Sequence, residues 1–223
     1  MSPANALAPS TELLRRFGPI DIYLFDQLLK GRFDGCRKIL DAGCGGGRNL
    51  VYFLRSGFEV FGADREPEAV AAVRSLAAEL APGLPAENFQ VAEVERLPFE
   101  TASMDAVLSS AVLHFATDEA QLRRMVAEMG RVLRPGGLFF ARLASNIGIE
   151  GLVVPVAGRR HLLPDGSQRL LVDEDLLLEL TAELGGELLD PIKTTNVQNL
   201  RAMTTWCVAK RGGGSRRGPL RSA

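Results

Sequence analysis

The sequence carries almost no net charge, few cysteines and only two histidines. Its 26 Lys and Arg against 27 Asp and Glu leave a formal charge of −1. Cys36, Cys44 and Cys207 form an odd, scattered set without a C-x-x-C pair. Neither a disulfide framework nor a zinc site is expected from them, and a reducing, cytoplasmic setting is. No run approaches eighteen apolar residues, and the opening MSPANALAPSTELL lacks both a basic start and a long apolar stretch. A transmembrane helix and a signal peptide are therefore not expected. What is there is ordinary for one globular α/β domain: 223 residues, 46% hydrophobic and 24% charged.

The stretch from Lys38 to Asp64, KILDAGCGGGRNLVYFLRSGFEVFGAD, organises the rest. Ile39 and Leu40 begin a short apolar run without helical period, which suits a strand buried on both faces. Gly43, Gly45, Gly46 and Gly47 crowd the turn that follows. Glycine there permits positive φ and lets a ligand approach without a Cβ in its way. A helix is predicted from about Arg48 to Ser56, with Gly57 to end it, and a second strand over Val60–Ala63 brings Asp64 to its carboxyl end. In open α/β sheets ligands bind outside the carboxyl ends of the strands, so Asp41, the glycine turn and Asp64 share that edge. Asp64 is placed to accept hydrogen bonds from both hydroxyls of a ribose.

Two cofactor classes use this layout. The dinucleotide fingerprint G-x-G-x-x-G brings backbone N–H groups and a helix N-terminus to a pyrophosphate. Here the spacing is Gly43-Cys44-Gly45-Gly46-Gly47, with Asp41 two residues ahead. A carboxylate at that point would repel a pyrophosphate and suits an ammonium group. D-x-G-x-G-x-G followed by a ribose acid resembles motif I of the class I S-adenosylmethionine (SAM)-dependent methyltransferases. Further along, AEVERLPFETASMDAVLSSAVLHF is similar to that family's G-D-A-x-x-L-P-F-x-x-x-x-F-D, and L-R-P-G-G at 133–137 is another of its hallmarks.

The resemblance implies roles at matching positions. Asp41, Gly43, Cys44, Gly45 and Asn49 would serve the methionine end of SAM, and Asp64 with Arg65 the ribose. Glu93 and Val94 would meet the adenine, although Ala92 stands for the family's Gly and Glu93 for its Asp. Ser109, at the end of a central strand over Asp105–Ser110, would lie near the methyl. An N-terminal helix often covers the cofactor in this family, which makes Tyr23 a candidate lining residue. His114 and Arg142 complete the candidate acceptor cluster, with Arg159, Arg160 and His161 available to select negative charge. Each has a plainer reading: Tyr23 as core, His114 as a cap, the arginines as a solvated hairpin.

The remaining chain fits around these motifs. A flexible segment is expected over 1–17 with one or two helical turns at Ser10–Arg16, and an amphipathic helix from Pro19 to about Gly31. A helix from Pro67, a third strand over Asn88–Ala92 and a helix capped by Thr117 follow. Strand five spans Leu138–Ala144. Residues 145–170, glycine- and proline-rich and without period, are read as a substrate lid. Asp173 caps a last helix, and Leu188–Val197 and Ala202–Ala209 read as two strands. The predicted fold is a doubly wound, Rossmann-like sheet of seven strands, order 3-2-1-4-5-7-6 with strand 7 antiparallel, over a domain at 18–210. The last segment, 211–223, holds Arg211, Arg216, Arg217 and Arg221 and no acid; it reads as a disordered basic tail that could touch nucleic acid.

The resemblance implies a methyltransferase using SAM, with S-adenosylhomocysteine (SAH) as product and a small-molecule acceptor, an anionic one included. The run Gly45-Gly46-Gly47-Arg48-Asn49-Leu50-Val51-Tyr52 is most similar to the tellurite-resistance type. The absence of D/N-P-P-Y/F after strand four argues against base or amide nitrogen as acceptor. A non-catalytic SAM-binding protein and a nucleic-acid methyltransferase remain the alternatives.

Overall fold

The computed structural model of the protein describes residues 9–212. Residues 1–8, and Arg216, Arg217 and Arg221 of the expected basic tail, lie outside the described residues. The elements in chain order are α1 (Pro9–Phe17), α2 (Ile22–Leu29), β1 (Lys38–Ala42), α3 (Val51–Arg55), β2 (Glu59–Asp64), α4 (Pro67–Leu80), β3 (Phe89–Val91) and β4 (Met104–Ser110). There follow α5 (Glu119–Val132), β5 (Leu133–Ser145), β6 (Val154–Ala157), β7 (Arg160–Leu162), β8 (Gln168–Leu170), α6 (Glu174–Glu183), β9 (Gly186–Leu188), β10 (Lys193–Val197) and β11 (Arg201–Lys210).

The main sheet runs β10-β11-β5-β4-β1-β2-β3, with β9 also paired to β11. Strands β1 to β5 pair in parallel, while β11 is antiparallel to β5, β9 and β10. This is the expected 3-2-1-4-5-7-6 order, with β11 as strand 7 and position 6 divided between β9 and β10. The division corrects the single strand expected over Leu188–Val197. Pro191 has no N–H for a ladder, and Asp190 is drawn aside by Lys30 and Gln27, at 2.9 Å and 2.8 Å.

Alternation along the strands sorts side chains onto two faces. Leu40, Val107, Phe139 and Trp206 pack with α5 and α6, including Leu122, Met129, Leu176 and Leu180. Ile39, Ala106, Leu108 and Phe140 pack on the other face with Leu24 of α2, Phe53 of α3 and Val73 of α4. On this second face the row Asp41, Leu108, Phe140 is followed at the carboxyl edge by the row Ser110, Arg142, Thr205.

Three local expectations change beyond α1. That helix takes up the helical turns expected at Ser10–Arg16, with Glu12 in its first turn and Arg15 and Arg16 in its last, charges that suit the helix dipole. Phe17 anchors its end, stacked on Tyr52 at 5.2 Å and edge-on to Phe25 at 4.9 Å. Helix α3 starts at Val51 because Gly47 and Leu50 close turns onto Cys44 and Gly47 first. Asp118 caps α5, accepting from the Gln121 N–H at 2.7 Å, while Thr117 spends its hydroxyl on the Gln121 side chain. Residues 145–170 contain a three-stranded antiparallel sheet, β6-β7-β8. Leu163, Leu171 and Val153 tie it to Ala144 and Met203 at the end of the main sheet.

Candidate functional site

The glycine turn after β1 divides its labour. Gly43, Gly45 and Gly47 all have positive φ, at +83°, +50° and +83°. A Cβ on Gly43 would lie 2.3 Å from Val112 Cγ2, and one on Gly47 would lie 2.8 Å from Val73 Cγ2. Those two glycines let neighbouring elements close in. A Cβ on Gly45 would meet nothing within 4 Å. Gly45 also lines a cavity of about 680 Å³ whose wall includes Gly43, Cys44 and Gly46. That size lies within the roughly 300–1,000 Å³ typical of small-ligand sites.

Asp64 stands at the end of β2 on the same wall. Its Oδ2 accepts from the Gly45 N–H at 2.8 Å and its Oδ1 from the Glu66 N–H at 3.0 Å. These bonds fix the carboxylate while each oxygen retains a lone pair toward the cavity. The wall continues through Arg65, Glu66, Ala92, Glu93, Val94 and Glu95. Gln121 of α5 donates to Glu95 and closes this end.

Beyond the turn the wall passes to Pro19, Arg48, Asn49, Val51, Ser110 and Phe115. Asn49 Oδ1 accepts from the Asp21 N–H at 3.0 Å, which ties the segment before α2 to the glycine turn. The Asp21 side chain, 3% exposed, accepts from the Tyr23 N–H at 2.9 Å and the Ser110 hydroxyl at 3.1 Å. Arg142 reaches it at 3.3 Å and lies over the Tyr23 ring, 5.0 Å from its centroid. Arg48 donates to Ser110 Oγ at 3.3 Å and stands 3.9 Å from Asp21.

Asp41 lies behind the turn. It is buried, and among the described residues its Oδ1 has no hydrogen-bond partner. Burial pushes its carboxyl up to about 8, with Arg48 pulling it down and Asp64 adding to the rise. A buried carboxyl with an unpaired oxygen gains from a cationic partner. The Cys44 thiol is also pushed up, chiefly by burial, so no reactive thiolate is offered here.

Of the expected cofactor residues, Gly43, Cys44, Gly45, Asn49, Asp64, Arg65, Glu93 and Val94 line this cavity. Asp41 and Ser109 do not. Asp41 sits beneath the turn, and Ser109 faces the opposite side of the sheet, donating to the Ala42 carbonyl at 3.2 Å. Its neighbour Ser110 takes the place on the wall, because one step along a strand reverses the face. The expected acceptor trio is not on the wall either. Tyr23 and Arg142 stand behind it around Asp21, with the Tyr23 hydroxyl turned to Thr195. His114 is buried, and its Nδ1 accepts from the Ala144 N–H at 3.2 Å. Burial, aided by Arg169 and Arg142, pushes its ring down to about 4, so it is a neutral structural acceptor.

No residue of 145–170 lines the cavity among the described residues. Arg159 pairs with Glu119 and Asp173, both at 2.7 Å. Arg160 donates to the Ala116 carbonyl at 3.3 Å, and His161 Nδ1 lies 2.9 Å from the Arg159 carbonyl. The Arg160 contact braces the turn bearing Phe115. Sequence reasoning missed Asp21, Pro19 and Phe115 as parts of the site, and did not assign Arg48 a contact.

Residues 40–141 match a family described as a methyltransferase domain. The chain is 30% identical over 212 residues to the ubiquinone biosynthesis O-methyltransferase of Mesorhizobium japonicum, an alignment covering 88% of this chain and 81% of that protein. It is 36% identical over 103 residues to an uncharacterised methyltransferase of Synechocystis, covering 46% of this chain and only 45% of that relative's length. In fold it is similar to a 1,6-didemethyltoxoflavin N1-methyltransferase of Burkholderia thailandensis, solved with bound 1,6-didemethyltoxoflavin and SAH. The TM-score is 0.64 at 20% identity, over 91% of this chain and 82% of that one.

Proposed function

The chain belongs to the class I SAM-dependent methyltransferases, and from that premise we propose that it methylates a small molecule held at the Arg48–Ser110 end of its cavity. The observation that carries this reading is one continuous cavity. It joins the Asp64 wall to a second end lined by Pro19, Arg48, Val51 and Ser110.

The residues present fit SAM. Asp64 would take the ribose hydroxyls, Glu93 and Val94 the adenine, and the open side of Gly45 the methionine chain. Asp41, buried beneath the turn and off the wall, is no direct partner for the ammonium group expected beside it. When bound, SAM supplies a methyl whose bond to a positive sulfur breaks as the acceptor atom bonds to carbon, leaving neutral SAH. The chain's own work is to hold two reactants in line and keep water out, which is worth several kcal/mol of barrier. Arg48 and Ser110 line the acceptor end, and Phe115 and Val112 close the apolar side.

The relatives named for ubiquinone biosynthesis methylate oxygen by their names, which favours an oxygen acceptor here. The run that resembles the tellurite-resistance type has local structural duties. Asn49 binds the Asp21 backbone and Tyr52 stacks on Phe17. It therefore supports that narrower acceptor less than its sequence suggests. The test is methyl transfer from SAM to panels of phenols, carboxylates, thiols and metalloid oxyanions. Turnover of a small molecule is expected; turnover of RNA or protein alone would refute the proposal.

A further inference from the structure

Resting on the methyltransferase reading, we infer that the acceptor carries an oxyanion group and that Arg48 binds it, with Asp21 and Arg142 as positioning residues. The cavity is electrically polar along its length. Its adenosine end carries Asp64, Glu66, Glu93 and Glu95 against Arg65. Its other end carries Arg48 beside Pro19, Val51 and Ser110, with no carboxylate on the wall. The carboxyl ends of β2 and β4 flank β1, so the two ends stand two strand spacings apart, about 9–10 Å.

Arg48 has donors to spare. Its side chain is 49% exposed. Among the described residues its one side-chain hydrogen bond, to Ser110 Oγ, is 3.3 Å long. A guanidinium presents five N–H groups in a planar fork that matches a carboxylate or similar oxyanion. Asp21 does not satisfy that fork, since its nearest oxygen is 3.9 Å away. That carboxylate is already engaged by the Tyr23 N–H, the Ser110 hydroxyl and Arg142. One carboxylate thus stands between two guanidiniums, and the surplus positive charge falls on Arg48, the one that reaches the cavity.

The surrounding cluster is built to hold this arrangement still. Arg142 is clamped between Asp21 and the Tyr23 ring, and Tyr23 is held by Thr195. Ser110, at the end of β4, joins the two arginines through its contacts to Asp21 and Arg48. Preorganised donors bind an anion without the cost of ordering them first. An acceptor docked by its oxyanion would lie across the Ser110 end, facing the turn. The same chemistry could come from an organic carboxylate or from a free inorganic oxyanion.

The test uses the full chain saturated with SAH and titrated calorimetrically with acetate, benzoate and malonate, with acetamide and benzamide, and with tellurite. At least one anion is expected to bind while its amide does not. Arg48→Met should weaken that anion about ten- to a hundredfold and leave SAH affinity within about twofold. Arg48→Lys, which keeps charge but not the fork, should fall between. Arg142→Met should weaken the anion less, and Arg142→Lys should restore part of the loss, as bulk alone would not. Carboxylates binding without tellurite assign an organic acceptor; tellurite alone assigns an inorganic one. Anion binding unchanged in Arg48→Met overturns the inference. So does a loss confined to SAH, which would give Arg48 to the cosubstrate, and so does an SAH complex that takes no anion. A wild-type chain that binds neither SAM nor SAH instead refutes the methyltransferase reading beneath it.

Discussion

Replacing Gly45 by alanine separates what the glycine turn does for the fold from what it does for a ligand. At φ +50° an L-residue is strained, and the cost is about 1–2 kcal/mol. Nothing lies within 4 Å of the new methyl, so no packing penalty is added. A chain of this size loses about 2–4 °C in Tm per kcal/mol, so Gly45→Ala should melt about 2–8 °C below wild type. Its methyl would occupy the space where the ligand approaches the turn. SAM binding should fall by about 1–3 kcal/mol, or roughly five- to 150-fold, through displaced contacts. Gly43→Ala is the control. Its Cβ would lie 2.3 Å from Val112, adding about 1–3 kcal/mol of overpacking to the same backbone strain. Thermal melts and calorimetric titration of both variants decide the matter. If Gly45→Ala binds SAM like wild type, the turn does not approach the ligand. If Gly43→Ala melts no lower than Gly45→Ala, the division of labour is wrong.

Three further outcomes follow from the same geometry. Asp64→Ala should weaken SAM and SAH by about 1–3 kcal/mol in a folded protein, measured by calorimetry. Asp41 holds its proton up to about pH 8 in the fold but only to about 4 when unfolded, so the native state binds more protons between those values. Ligand-free stability should therefore fall as pH rises from about 4 to 8, and Asp41→Asn should flatten that slope in urea midpoints. His114 titrates at about 4 in the fold against 6.5 unfolded, so its contribution is present above pH 6.5 and lost as pH falls toward 4. His114→Asn, which keeps an acceptor for the Ala144 N–H, should reduce that acid sensitivity.

The sheet order, the glycine turn and Asp64 were legible because each is written in contiguous residues: an apolar run, a spacing, an acid at a strand end. Ser109 and Ser110 show the limit of such reading. Both end the same strand, and only the parity of the fold decides which meets the cavity. Asp21 shows another. Ser110 and Arg142 reach it from 89 and 121 residues away, and no local pattern marks an aspartate that will bridge them. The apparently patternless 145–170 segment hides strands of three or four residues, too short for alternation to stand out. Asp41 was legible as a carboxylate beside the turn. That it would be buried with a free oxygen was not, since this depends on what α2 and α3 cover.

Titration of the purified chain with SAM, SAH and NAD by calorimetry tests the central claim most directly. One site per chain for SAM and SAH is expected, weakened for both ligands in Gly45→Ala and in Asp64→Ala, with no heat from NAD. Binding of NAD without SAM, or SAM binding indifferent to both substitutions, would contradict it.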